Sequence, residues 1–301
     1  MYEYFYNGGG VAIADLNGDG LEDIYFSGNV TNNQLYLNTG KMRFEDITAR
    51  AAVAGRPGPW KTGVTISDVN GDSKPDIFLC YSGKLSGSKR KPQLFINQGN
   101  DGQGVPKFID EAQTYGLSDS AFSTQGYFFD YDIDGDLDLL LLNHNPKRLS
   151  NLNEASIRSF ISTPDKQNGT RLLRNDNNHF SDVTASSGIV NSILSYNLSA
   201  AISDLNNDGW PDIYICNDYL VPDYLYVNNK NGTFSDQLKK RFNHTSQFSM
   251  GSDVADINND GLADIFTLDM LPEDNHRQKM LAAPDNYDLF DLNIRSGFHE
   301  Q

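Results

Sequence analysis

The chain has 301 residues, 38% of them apolar and 21% charged, with 26 Gly and 11 Pro, a turn-rich globular composition rather than a disordered or membrane-embedded one. With 24 basic against 40 acidic residues the net charge is −16, which repels phosphate and argues against a nucleic-acid partner. Apolar runs such as Leu139–Leu142 fall far short of the ~20 residues a membrane-spanning helix needs. The opening Met1-Tyr2-Glu3-Tyr4 lacks the basic and apolar regions of a signal peptide.

Taken in chain order, five units repeat one succession of elements. In the first (about residues 8–60), the small or apolar stretch Gly10–Ala14 leads into the loop Asp15–Asp23, then strands at Ile24–Phe26, Gln34–Asn38 and Phe44–Thr48. The second (61–123) has Gly63–Ser67, loop Asp68–Asp76, then Ile77–Leu79, Gln93–Asn97 and Phe108–Asp110. The third (124–197) has Gly126–Phe129, loop Asp130–Asp138, then Leu139–Leu142, Arg171–Asn175 and Phe180–Thr184. The fourth (198–248) has Ala200–Ser203, loop Asp204–Asp212, then Ile213–Ile215, Tyr224–Asn228 and Phe234–Asp236. The fifth (249–301) has Gly251–Ala255, loop Asp256–Asp264 and Ile265–Thr267, after which the pattern stops.

Branched and aromatic runs bounded by Gly, Asn and Asp read as strands. Four short strands per unit, with loop starts 53, 62, 74 and 52 residues apart, match the blade of a β-propeller. The expected fold is therefore all-β, a single β-propeller domain of four-stranded blades. No amphipathic helix is expected inside the repeats. Cys80 and Cys216 fall at the same strand position of the second and fourth units, which are not neighbours. They read as buried small hydrophobes rather than a disulfide.

The loops carry the chemistry. Each has Asp at position 1, Asp or Asn at 3, Asp at 5 and Asp at 9. The side chains are Asp15, Asn17, Asp19 and Asp23; Asp68, Asn70, Asp72 and Asp76; Asp130, Asp132, Asp134 and Asp138; Asp204, Asn206, Asp208 and Asp212; and Asp256, Asn258, Asp260 and Asp264. Backbone carbonyls at position 7, from Leu21, Lys74, Asp136, Trp210 and Leu262, can add to the set. Calcium takes six to eight hard oxygen ligands at flexible distances, which such a loop can supply. Gly20, Gly135, Gly209 and Gly261 permit a tight turn at position 6, and Ser73 replaces glycine in the second loop, which should be the weaker.

Other ions and motifs fit less well. An EF-hand needs a bidentate Glu at position 12, where this chain has Phe26, Leu79, Leu141, Ile215 and Thr267. Zinc prefers Cys and His, and the loops contain neither. Plain Asx turns would explain the Asp and Asn content. They would leave 16 carboxylates clustered at the ligand positions, each close pair costing on the order of 1 kcal/mol even in water. About five bound Ca2+ ions, one per loop, are the expected cofactors.

These loops and their flanking strands resemble the FG-GAP/VCBS repeats of the integrin alpha-like propeller. They are similar to the cartilage acidic protein / ASPIC-UnbV-associated family, including its bacterial cell-envelope members. The turn Asn231-Gly-Thr-Phe-Ser-Asp236, the opening around Tyr4–Ile13 and the tail Asp269–Arg277 with Gly297-Phe-His299 add to that likeness. The resemblance implies a seven-bladed ring, of which five blades would lie here in an incomplete domain of a longer chain. It also implies a calcium-binding module at the cell surface, in the periplasm or outside the cell, mediating protein or glycan binding and adhesion.

Two stretches break the repeat length and could carry a partner: Asn143–Thr170, with His144, Lys147, Arg148, Arg158 and Lys166, and Pro272–Gln301, with Glu273, Asp274, His276, Arg277 and Lys279. Trp60, Tyr81, Tyr115 and Tyr219 near strand ends could stack on sugars, or pack as core. The alternative function is a carbohydrate-active lyase or hydrolase on the same scaffold. The five histidines share no spacing, and no nucleophile elbow, zincin or P-loop motif appears. A binding module rather than an enzyme is expected.

Overall fold

The computed structural model describes residues 8–58, 60–147, 149, 153–219, 221–246, 248–270, 273–281, 291 and 294–295. Four sheets of four strands and one of two account for the strands among them. The first sheet is β1 (Val11–Ala14), β2 (Asp23–Phe26), β3 (Gln34–Asn38) and β4 (Phe44–Asp46). The second is β5 (Lys61–Ser67), β6 (Asp76–Tyr81), β7 (Gln93–Asn100) and β8 (Pro106–Asp110). The third is β9 (Ser123–Phe129), β10 (Asp138–Asn143), β11 (Arg171–Asn175) and β12 (Phe180–Asp182). The fourth is β13 (Asn197–Ser203), β14 (Asp212–Asn217), β15 (Tyr224–Asn228) and β16 (Phe234–Asp236). The fifth is β17 (Ser249–Ala255) with β18 (Asp264–Asp269). Every sheet is an antiparallel meander in which each strand pairs with the next in sequence. The all-β expectation of blade-like four-stranded sheets holds.

The first strands of successive sheets lie against one another in the order β1, β5, β9, β13, β17. Polar bonds stitch them together. Gly10 N–H donates to the Thr62 carbonyl at 3.1 Å, Thr62 Oγ1 to the Ser123 carbonyl at 2.8 Å, and Thr124 Oγ1 to the Asn197 carbonyl at 2.9 Å. Close approach requires small residues here. A Cβ on Gly63 would lie 1.6 Å from Gln125 Oε1, and one on Gly126 2.6 Å from the Phe78 ring. These strands bound a cavity of about 600 Å³ that Trp60, Gln125, Tyr127 and His144 help to line.

Between sheets, the period-2 alternation of a strand gives each sheet two apolar faces. On β2, Tyr25 shares a core cluster with Ile77 and Leu79 of β6. The opposite face of β6, Phe78 and Cys80, clusters with Leu139 and Leu141 of β10. Leu140 and Leu142 cluster in turn with Ile213 and Ile215 of β14, and Tyr214 and Cys216 with Ile265 of β18. The middle strands β6, β10 and β14 are therefore buried on both faces, and each large apolar side chain enclosed contributes roughly 1.5–3 kcal/mol. Cys80 and Cys216 are both buried thiols in this register.

Helices are the departure from expectation. Four-residue helices follow the fourth strands at Thr48–Ala51, Thr184–Ser187 and Leu238–Arg241. They begin where an aspartate ends the strand: Thr48 Oγ1 donates to Asp46 Oδ1 at 2.6 Å and accepts the Leu35 N–H at 2.8 Å. The same contacts recur at Asp182 and Thr184. A nine-residue helix, Glu154–Ser162, occupies the long insertion of the third unit, its start fixed by a capping box between Asn153 and Ser156. Single helical turns leave no periodic pattern to read, and a Ser at the third helical position disguised the capping box.

Candidate metal centres in the aspartate loops

Each aspartate loop joins the first strand of a sheet to its second and is folded by its own carboxylates. The position 1 aspartates, Asp15, Asp68, Asp130, Asp204 and Asp256, accept the backbone N–H of position 5 through Oδ1 and of position 6 through Oδ2, at 2.7–3.1 Å. At position 3, Asn17, Asn70 and Asn258 accept the same position 5 N–H at 2.9–3.1 Å. In the third and fourth loops the Asp134 N–H lies near enough to Asp132 to favour its charged form, and the Asn206 N–H does the same for Asp204. The position 5 aspartates, Asp19, Asp72, Asp134, Asp208 and Asp260, accept the N–H of Leu21, Lys74, Asp136, Trp210 and Leu262 at 2.9–3.0 Å.

Two left-handed residues per loop make this winding possible. Position 6 has φ of 84° at Gly20, 97° at Gly135, 85° at Gly209 and 84° at Gly261, and Ser73 takes 66° in the second loop. Position 4 is left-handed as well, with Gly18 at 76°, Gly71 at 72°, Ile133 at 58°, Asn207 at 57° and Asn259 at 59°. Glycine and asparagine suit that conformation, whereas a β-branched side chain is strained in it.

Position 9 is the deepest. Asp23, Asp76, Asp138 and Asp212 are fully buried at the start of the second strand. One oxygen of each accepts the N–H of position 2, from Leu16, Val69, Tyr131 and Leu205, at 3.0–3.1 Å. The other accepts the backbone N–H of an asparagine on the third strand, Asn38, Asn97, Asn175 or Asn228, at 2.8–2.9 Å. Those asparagines then brace the loops. Asn97 donates to the Leu16 carbonyl of the preceding loop at 3.0 Å, and Asn228 to the Tyr131 carbonyl of the preceding loop at 2.8 Å. The recurrence of Asn at the fifth residue of the third strand in four units was the signal for this role, which strand propensity alone does not explain. In the fifth loop Asp264 keeps the bond from Ile257 N–H at 3.0 Å.

Burial makes these charges costly. It raises the carboxyls of Asp23 and Asp212, with Asp19 and Asp15, and Asp208 and Asp204, adding repulsion. Burial likewise raises Asp76 to about 6, reinforced by Asp72 and Asp68, and Asp138 to about 7, reinforced by Asp132 and Asp134. Asp132 is raised by burial and then by Asp134 and Asp130. In the second loop burial opposes the Asp72 charge. The Lys74 ammonium, 2.9 Å from Asp72 Oδ2, and the Lys74 N–H outweigh it and hold that carboxyl low.

The third loop gathers its ligands most tightly. Asp130, Asp132 and Asp138 each present an oxygen within 4.8 Å of the others. Asp132 Oδ1 is enclosed and has no hydrogen-bond partner among the described residues. A set of hard oxygens, with a buried carboxylate at its base and one oxygen left unpartnered, fits a divalent cation of the calcium type. The backbone carbonyls of Leu21, Lys74, Asp136, Trp210 and Leu262 sit at the position 7 turn of each loop.

The stretches that break the repeat divide on structure. Lys147, Arg158 and Lys166 are exposed, Lys166 lying 3.5 Å from Asp182. His144 does not join them. It is buried beside the cavity between the first strands, where burial pushes its imidazole down to about 3 and leaves it neutral. Arg148, Pro272, the Lys279 side chain, residues 4–7 and Gly297–His299 lie outside the described residues. Glu273, Asp274, His276 and Arg277 are exposed, and Asp274 caps the N–H groups of His276 and Arg277. Tyr81 and Tyr115 are core side chains. Trp60 is half-buried at the cavity, and Tyr219 is partly exposed with its ring 5.5 Å from that of Tyr196.

An aspartate-lined loop at the head of each blade-like sheet defines a class, the repeat proteins whose blades are each organised around a candidate cation loop. The FG-GAP-like repeat profile matches residues 15–79, 68–141 and 204–267, more than half of the chain, and the chain belongs to that family. It is 32% identical over 138 residues to cartilage acidic protein 1 of Homo sapiens and 31% identical over 138 residues to that of Mus musculus. Those matches take in 45% of this chain and 20% of each relative, so the match spans about a fifth of the length of these curated relatives. Among solved structures, an Agrocybe aegerita lectin described as recognising non-reducing terminal N-acetylglucosamine is similar over 74% of this chain and 49% of its own, at 17% identity and a TM-score of 0.39. A likeness at that score carries no inference about ligand. Among the described residues no helix is long and apolar enough to cross a membrane.

Proposed function

We propose that the protein is a calcium-stabilised binding module that works outside the cytosol, its five aspartate loops each taking one Ca2+ ion. Side chains at positions 1, 3, 5 and 9, with the carbonyl at position 7, would hold the ion. The ion would supply positive charge where carboxylates are crowded and partly buried. The observation that carries this reading is the third loop, where three aspartates converge on an enclosed, unpartnered oxygen of Asp132. Extracellular calcium modules typically bind at about 10⁻⁴ to 10⁻³ M, a level met outside the cell and not in cytosol, which is why the site is placed there.

Binding of a protein or glycan partner, rather than catalysis, is the role that fits best. Among the described residues Asp130, Asp132 and Asp138 of the third loop already have oxygens within 4.8 Å of one another, and in the other loops the ion would draw the equivalent side chains together. Isothermal titration of the chelator-treated protein with calcium, and with magnesium as control, tests the metal reading. About five sites with calcium preferred would support it. The absence of binding heat, together with an unchanged melting temperature in calcium and in EDTA, would reduce the loops to turns.

A further inference from the structure

We propose that a neutral sugar residue of a glycan binds in the cavity between the first strands, at the end away from the aspartate loops, stacked on Trp60 with Tyr219 as a second ring at the rim. The proposal rests on the reading of the protein as a binding module and deepens it, naming the class of ligand and the residues that take it.

Two aromatic residues are held in strained backbone. Trp60 has a φ of 73° and Tyr219 of 70°, and among the described residues no other aromatic is left-handed. Bulky side chains avoid that region, and residues held in it gather at ligand-binding sites. The repeat does not demand it. Trp60, Phe122, Tyr196 and Phe248 each stand one residue before a first strand, β5, β9, β13 or β17, and of the four only Trp60 is left-handed. Its surroundings enforce the conformation. Trp60 N–H donates to the Asn29 carbonyl at 2.7 Å, and its carbonyl accepts the Ser82 N–H at 2.9 Å. The indole occupies the space above Gly83, where a Cβ would lie 2.2 Å from its Cγ.

Both rings lie at the same end of the sheets. Trp60 precedes β5, whose far end enters the loop at Asp68, and Tyr219 lies two residues past β14, whose near end leaves the loop at Asp212. That end is opposite the candidate ions. Both rings pack on the buried Tyr196, Trp60 within its apolar cluster and Tyr219 edge-on at 5.5 Å. Trp60 is half-buried on the cavity wall, and Tyr219 is 38% exposed. Trp60, Thr124, Gln125 and His144 belong to the second and third sheets and the segments beside them, so this side of the cavity is built wholly inside the array.

Charge selects the ligand. In a chain of net charge −16, no Asp, Glu, Lys or Arg is found among the described residues that line the cavity. Its polar groups are the amides of Asn29 and Gln125, the hydroxyls of Thr62 and Thr124, and the His144 imidazole, which burial keeps neutral. Such a wall offers an ionic ligand no countercharge. An aromatic plane beside uncharged hydrogen-bonding groups suits a neutral sugar, whose C–H face packs on a ring while its hydroxyls donate and accept.

An array of immobilised neutral and acidic glycans, probed with the full chain in calcium, tests this. The chain has two tryptophans, so Trp210→Phe leaves Trp60 as the only indole reporter. Neutral glycans should be retained, and free in solution they should shift or quench Trp60 emission saturably. Tyr219→Gly, which suits the left-handed backbone, should keep or raise the melting temperature and weaken binding about tenfold. Trp60→Gly should abolish binding, while Trp60→Phe, which keeps a ring on the same backbone, should retain part of it; circular dichroism checks that each variant is folded. Retention of no glycan, or of acidic glycans only, would overturn the proposal, as would unchanged affinity in a folded Tyr219→Gly or Trp60→Gly chain. Melting temperatures in calcium and in EDTA read the metal separately: a chain stabilised by calcium that retains no glycan would sink the sugar site alone. Cleavage of the retained glycan, followed by chromatography, would leave the site standing and overturn the binding-module reading instead.

Discussion

Replacing Asp138 by asparagine should change sign with calcium. In the chelated protein at pH 8, Asp138 is held ionised although burial and its aspartate neighbours raise its carboxyl from 3.8 to about 7. A shift of that size corresponds to about 4 kcal/mol of unfavourable free energy relative to the unfolded chain. Asparagine keeps the shape and removes the charge. It also turns one acceptor into an NH2 group facing either the Tyr131 or the Asn175 N–H, bonds now made at 3.1 and 2.8 Å. Losing one such charge-assisted bond costs about 1.5–3 kcal/mol. The balance leaves the variant as stable as the parent in EDTA, or more so by about 1–2 kcal/mol. In calcium the parent gains the binding term of this loop, about 2.7 kcal/mol at a hundredfold excess over Kd, and the variant gains little. Paired urea denaturation curves of both proteins, in EDTA and in calcium, measure the difference directly. Equal destabilisation in both conditions would refute the reasoning, because the carboxylate would then be acting only as a hydrogen-bond acceptor.

Other outcomes follow from the same loops. In EDTA, stability should fall as pH rises from about 4 to 7, because folded Asp76 and Asp138, raised to about 6 and 7, bind protons that the unfolded chain has already released. In calcium the slope should reverse, since protonation competes with the ion; urea midpoints at pH 5 and pH 8 read both slopes. Ile133→Gly should stabilise the protein by about 1 kcal/mol, as an exposed β-branched side chain is relieved of a φ of 58°. A thermal melt showing no gain would mean that the third loop carries no strain at that residue. Asn97→Ala should cost about 1–3 kcal/mol, leaving the buried Leu16 carbonyl and the half-buried Pro75 carbonyl without this donor. Denaturation midpoints of that variant show whether the asparagine latch holds neighbouring sheets together.

Much of the architecture was legible because repetition makes a weak local signal specific. A single Asp-Asn-Gly run is a turn, but aspartates at fixed offsets five times over, each between two β-rich runs, fix the strand order and the loop positions. Strand type followed from branched and aromatic residues, and the ligand positions from carboxylate spacing. Backbone conformation was half legible. The left-handed turn at position 6 is marked by glycine in four loops and the one at position 4 by Gly18, Gly71, Asn207 and Asn259, while Ile133 hides it in the third loop.

Burial and partnership were decided by tertiary structure. Period-2 alternation says that a strand has two faces, but not which neighbour each face meets. That is why Phe78 and Phe266, equivalent in sequence, are buried in one sheet and exposed in another. His144 reads as a member of a basic stretch, yet packing places it at the cavity between the first strands and desolvation removes its charge. Along the chain each position 9 aspartate looks like one of four equal ligands in its loop. In the folded protein they differ from the rest because the third strand closes over them, and that contact comes from residues 15 to 37 positions away. Local spacing set which atoms could serve as ligands, and the packing of distant strands set how costly their charges are without a cation.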